Sequence, residues 1–276
     1  MKTFFAIPTK LILINIVLFL ATVAYATNQE VHVGIPFVPK DALNKDAQSL
    51  FGERVDNHNI RIISKPEAYA NGIRTGQLDA FFAKANIGAW AIDNHPYEAV
   101  AKLRNPVFLR LIVRNDQLDV FDFKDLGYRT ICTEGSPDIK FYFLQTLFAS
   151  PGDLSESRIF FPEEKIETLL NRNCIGKVVN ESRLKLLAEK NEYTTLARSQ
   201  KFNQIGFFIR TDINRNARLH IINRLFSEQS KTLVNSLKRY FSTPTDELIK
   251  ANNDDYPLIW AKYTPETWRQ PTFNSK

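Results

Sequence analysis

Short apolar runs alternate along the chain with stretches whose apolar side chains recur every three or four positions, the pattern of strands and helices in turn. Val31–Val38 (VHVGIPFV) reads as a buried strand ended by Pro39. Asp41–Phe51 follows as a helix with Leu43, Ala47, Leu50 and Phe51 toward a core, and Asn59–Ile63 as a second strand. Pro66 opens a helix and Gly76 closes it: a fixed φ suits the first turn, and conformational freedom suits the residue past the end. Leu78–Ala83 (LDAFFA) is a third strand, Ile87–Asp93 starts another helix, and Val107–Val113 (VFLRLIV) is a strand. The order then restarts. Strand Tyr128–Thr133, helix Asp138–Ala149, strand Arg158–Phe161, helix Glu163–Asn171, strand Ile175–Val179 and helix Arg183–Lys190 come in succession. Gln204–Arg210 (QIGFFIR) is one more strand, and Ala217–Phe241 is helical with a break near Ser230.

Strands alternating with helices define the α/β class with mainly parallel sheets. The βαβαβ run occurs twice, near residues 31–83 and 128–179. Two such halves joined by Val107–Val113 and Gln204–Arg210 predict two lobes with two crossing strands as a hinge. Lobe one takes 27–111 plus 209–276 and lobe two takes 112–208. Open α/β sheets bind ligands beyond the carboxyl ends of their strands, so the facing lobes would share one cleft.

Residues 1–26 read as an address. Lys2 and Lys10 supply positive charge, Leu11–Ala24 is almost wholly apolar, and Ala24-Tyr25-Ala26 fits a small-x-small cleavage site, which is the pattern of a secretory signal peptide. The apolar stretch is short for a membrane span of about 20 residues, and the alternative is an uncleaved anchor. Cleavage leaves 250 of the 276 residues and lowers the net charge from +6 to +4, because the segment holds two lysines and no acid. An exported protein can oxidise its two cysteines, so Cys132 and Cys174 either pair or stay as small buried apolar residues.

Composition removes several classes. At 44% apolar and 24% charged the chain is globular rather than disordered. Two cysteines and four scattered histidines give no metal-ligand spacing. There is no GxSxG, P-loop or GxGxxG, and no catalytic set assembles, so the chain is read as a non-enzyme without cofactor. The basic residues are dispersed, which argues against nucleic acid as a partner.

Several segments carry a resemblance. Pro66–Ala83 (PEAYANGIRTGQLDAFFA) combines a tyrosine, a helix and Gly-x-x-Asp before a strand, and Tyr97–Leu103 (YEAVAKL) follows it. Leu109–Asp116 leads to Phe123–Ile131 (FKDLGYRTI), and Asp254-Asp255-Tyr256 lies near the end. In this order the segments resemble the type II periplasmic substrate-binding proteins of ABC transporters, in particular the phosphate- and phosphonate-binding group. The resemblance implies a monomeric periplasmic receptor that closes on a small anionic or zwitterionic solute and delivers it to a membrane permease. Binding modules of this kind also serve as exported sensor subunits that dock on a membrane signalling receptor.

Candidate ligand residues cluster at strand ends. Ser136 and Pro137 suit the N-cap and first position of the helix Asp138–Ala149, whose free amides and dipole favour an anion. The resemblance places a hydroxyl-rich turn here; this chain has Thr133 and Ser136, but Asp138 departs from it and suits an ammonium group instead. Tyr69 matches the tyrosine that closes over the ligand in the resembled group, or packs in the core. Lys84 and Asn86 follow the strand Leu78–Ala83, where Lys84 either pairs with an anion or is solvated. Phe37 either lines the cleft or packs in the core. Glu181 accepts from an amine or caps the next helix. Arg110 and Arg114 flank the crossing strand, where one could reach into the cleft or both could be surface charges.

Overall fold

The computed structural model describes residues 30–36, 42–52, 58–104, 106–126, 129–133, 139–148, 159–160, 174–181, 184, 192–203, 205–241 and 247–263. The segment 1–26, Phe37, Ser136, Asp138 and the helix expected at Glu163–Asn171 lie outside the described residues, as does most of the one expected at Arg183–Lys190.

The first sheet begins with β1 (Glu30–Gly34), α1 (Ala42–Phe51), β2 (Asn59–Ile63), α2 (Pro66–Arg74), β3 (Ala80–Lys84), α3 (Ala85–Asn94) and β4 (Tyr97–Leu103). The chain then builds β5 (Leu109–Arg114), β6 (Ile131–Thr133), α4 (Ile139–Leu147), β7 (Ile159–Phe160), β8 (Gly176–Asn180) and β9 (Tyr193–Arg198). It returns through β10 (Ile205–Arg210), α5 (Arg215–Leu225), α6 (Ser230–Phe241) and β11 (Leu248–Lys250), and ends in 3-10 turns at Asn253–Asp255 and Leu258–Tyr263.

Local chemistry explains most boundaries. α2 starts on Pro66 and passes through Thr75 to Gly76, whose φ of 66° is a left-handed value that glycine adopts without strain. α5 starts two residues earlier than its apolar spacing implies, because the Asn214 side chain accepts from the amides of Asn216 and Ala217. The helical stretch breaks between Leu225 and Ser230, where it was expected to.

Two sheets form, ordered β11-β4-β10-β3-β1-β2 and β7-β6-β8-β5-β9. Among the described strands, parallel pairing is confined to two triplets, β2-β1-β3 and β7-β6-β8. The other half of each sheet is antiparallel, through β10 and β11 in the first and β5 and β9 in the second. β5 belongs wholly to the second sheet and β10 wholly to the first. The chain therefore changes sheets between Leu103 and Leu109 and again between Arg198 and Ile205. The two connectors meet in an antiparallel bridge, Val107 N–H to Phe202 O at 2.8 Å and Phe202 N–H to Val107 O at 2.9 Å.

One face of the first sheet packs Val31, Val33, Phe82, Phe207 and Ile209 against Leu43, Phe51, Ile221 and Leu237 of the helices. The other face buries Phe81 and Phe208 beneath α3. Gly88 of that helix lies so close that a Cβ there would stand 1.9 Å from Phe208 Cζ. The same apolar cluster continues through Phe202 and Trp260 to Leu111, Ile131, Phe143 and Val178 of the second sheet.

Candidate functional site

Strand register brings one end of each sheet to the bridge. In the first sheet, the last residue of β3, Lys84, pairs with Ile205, the first of β10, and Lys102 near the end of β4 pairs with Gly206. In the second, Thr133 at the end of β6 pairs with Val178, Asn180 at the end of β8 with Leu109, and Arg110 with Arg198 at the end of β9. Val107 and Phe202 lie just beyond these ends. The carboxyl ends of the parallel strands β3, β6 and β8 are therefore all on the crossover side of their sheets, the side on which open α/β sheets take ligands.

The expected residues divide between this region and the core. Lys84 is exposed and occupies the N-cap position of α3, with no side-chain cap on the helix's first amides. Asn86 is buried in the first turn of that helix. Tyr69 is buried under the first sheet, its hydroxyl donating to Phe82 O at 2.5 Å. Thr133 is 1% exposed at the end of β6, and among the described residues its Oγ1 has no hydrogen-bond partner. A buried hydroxyl left in that state costs free energy unless something else fills it.

Glu181 sits beside the crossover, its amide donating to Phe108 O at 2.9 Å. Its carboxylate accepts from Arg110 at 2.5 Å and from Arg198 at 3.1 Å. Arg198 also lies 4.0 Å over the Phe108 ring. Of the two arginines that flank β5, Arg110 reaches this end of the sheet, whereas Arg114 at the other end pairs with Asp116 at 2.7 Å. Arg198 carried no apolar or motif signal. It is the end residue of an edge strand whose sequence, YTTLAR, alternates too weakly to read as a strand. Opposite, Lys102 is paired with Asp255, and Asn203 of the second connector donates to Asp255 O at 2.9 Å.

The Arg110 guanidinium beside Glu181 holds its carboxyl below the usual value, with Arg198 adding to the effect. Lowering the folded value makes the pair's stabilisation complete above the unfolded glutamate value of about 4.3 and loses it as pH falls through the folded one. Glu181→Gln should therefore cost about 0.5–1 kcal/mol at pH 7, a partly exposed pair being worth no more, and the gap to wild type should close towards pH 3. Denaturant unfolding at the two pH values measures this, and an equal gap at both would refute the assignment.

The structure also pairs Cys132 of β6 with Cys174 just before β8, Cα to Cα 5.7 Å. Burial, with Arg114 nearby, pushes the Lys177 ammonium on β8 down to about 8. Among the described residues no cluster of three metal-ligating side chains occurs, and no helix is long and apolar enough to cross a membrane. Two surface grooves, of about 540 and 490 Å³, lie at Trp90 and Leu258 and at Glu98 and Arg218; no expected ligand residue lines either.

Two α/β sheets, each with a parallel half of three strands, joined by a bridged pair of connectors, form the two-lobe fold of the type II periplasmic binding proteins. Among solved structures of that fold, the Xanthomonas citri protein XAC2383 bound to ATP superposes with a TM-score of 0.62 at 11% identity, over 82% of this chain and 92% of the other. PhnD1 of Prochlorococcus marinus in complex with methylphosphonate gives 0.59 at 14%, over 83% and 95%. A binding protein component of an ABC phosphonate transporter from Pseudomonas aeruginosa gives 0.55 at 12%, over 82% and 83%. No protein-family model and no curated protein matches the sequence.

Proposed function

We propose that the protein is an exported solute receptor that captures a small anionic or zwitterionic ligand between its lobes and passes it to an ABC permease. The observation that carries this reading is the convergence of the β3, β6 and β8 ends on the Val107–Phe202 bridge. Two bridged connectors beside strand ends are a geometry for closing on a ligand, and it requires no catalytic group. The unpartnered Thr133 hydroxyl and the exposed Lys84 are the described residues that support a ligand there. Ser136 and Asp138 follow the end of β6 in sequence and Phe37 follows β1, and they complete the proposed set together with Tyr69, Asn86 and Glu181. The residue 1–26 pattern supports export to the periplasm, and a monomer suffices for closure.

Thr133→Val tests the reading directly. It replaces the hydroxyl with a methyl of the same shape, so stability should stay within about 0.5 kcal/mol or rise. Phosphate, phosphonates, organic acids and amino acids form the screen, and a ligand at 100 times its dissociation constant should add about 2.7 kcal/mol to wild type. The variant should bind the hit more weakly. A screen in which no compound stabilises the protein, or a hit that Thr133→Val binds equally well, would count against the reading.

A further inference from the structure

The charges at the facing sheet ends are unequal. Lys84 and Lys102 stand at the end of the first sheet, Arg110 and Arg198 at the end of the second, against Asp255 and Glu181. Lys102 is neutralised by Asp255. Glu181 spreads one negative charge over two guanidiniums, one on each carboxylate oxygen. Lys84 has no ion pair among the described residues. Among the described residues two positive charges are thus left over at these strand ends. The single charge of Glu181 is already shared by two guanidiniums, which weakens its pull on a ligand's amine.

Arg198 suits an anion further. Its guanidinium is held flat on Phe108 and gripped at one nitrogen by Glu181, while 47% of the side chain stays exposed. A guanidinium fixed in orientation with donors to spare is preorganised for a carboxylate or phosphate group. Arg110 lies deeper, its Nε buried without a partner. We propose that Arg198, braced by Glu181 and Phe108, is the second lobe's contact for an anionic group of the ligand. Lys84 is exposed at the end of β3 on the same crossover side, so the receptor prefers acids (carboxylate, phosphate or phosphonate) to a solute with a net positive charge such as lysine. This rests on the receptor reading given above.

Titration calorimetry on the full chain with inorganic phosphate, methylphosphonate, succinate and lysine tests it. Wild type should bind at least one of the three anions, and more tightly than lysine. Arg198→Gln should weaken that anion about tenfold or more, the loss of a charge-assisted hydrogen bond. Arg129→Gln removes the same charge from a pair with Asp119 outside the strand ends and should change affinity less than about twofold. Circular dichroism checks that each variant is folded. Arg198→Lys, which keeps the charge but not the fork, replaces Arg198→Gln should that variant fail to fold, and should also weaken binding. An anion bound equally well by the Arg198 variant overturns the proposal, as does lysine binding as tightly as the best anion; either result leaves the receptor reading standing. If none of the four binds, both fall.

Discussion

Breaking the Cys132–Cys174 bond should lower stability by about 4 kcal/mol, the chain-entropy value for a cross-link spanning 42 residues. The bond closes a loop that contains α4 and β7, so it tethers the parallel half of the second sheet. Cys132 is 1% exposed and lies on the strand that ends at Thr133. Without the cross-link, the unfolded chain regains the freedom of that loop and the folded sheet gains nothing in return. Thermal unfolding with and without a reductant, and of a Cys132→Ala/Cys174→Ala double variant, measures the effect. The two should agree, and a loss below about 1 kcal/mol would mean that the rest of the sheet already restricts the loop. Such a cost would make the folded state sensitive to reducing conditions.

Tyr256→Ala should cost about 3–5 kcal/mol, the range for removing a large aromatic from a packed core. Tyr256 is fully buried in the turn after β11, its ring 4.9 Å from Phe208 and 6.5 Å from Trp260. Its hydroxyl donates to Ile205 O at 3.0 Å, where β10 leaves the crossover. Burial and nearby Asp255 raise its pKa, so the hydroxyl keeps its proton and remains a donor at neutral pH. Tyr256→Phe keeps the ring and removes only the hydrogen bond, and should cost about 1 kcal/mol. Denaturant unfolding of both variants separates the terms. Equal losses would place the stabilisation in the hydroxyl, against the packing described here. Trp260 touches Phe202, so the alanine variant should also loosen the bridge between connectors.

The parts of the fold that the sequence displays are those set by neighbours in the chain. Pro66 and Gly76 bound α2, and the apolar runs of β1, β3, β6, β8 and β10 stand out because one or both faces are buried, while β2 shows through its three partly buried isoleucines. β4 escapes such a reading. Its buried positions are Tyr97, Ala99, Ala101 and Leu103, and alanine gives little contrast with the Glu98 and Lys102 between them. β9 is half exposed at a sheet edge, and β11 has three residues. These strands make the antiparallel halves of the sheets, so the mixed pairing was hidden along with them.

The candidate site divides on the same line. Lys84, Thr133 and Glu181 are visible as residues that follow strands, and the two cysteines as a pair that export could oxidise. Whether a charge there is free or spent depends on partners far away in the chain. Glu181 meets Arg110 across 71 positions and Lys102 meets Asp255 across 153, distances over which no local pattern carries information. The sequence alone therefore determined most of the strands with buried faces, the helices with clear ends and the alternation behind the two parallel triplets, because burial periodicity and helix ends are local properties. Only the tertiary structure decided which strands run antiparallel, where the chain crosses between sheets and which cations remain over at the strand ends, because pairing and neutralisation are settled by contacts between distant segments.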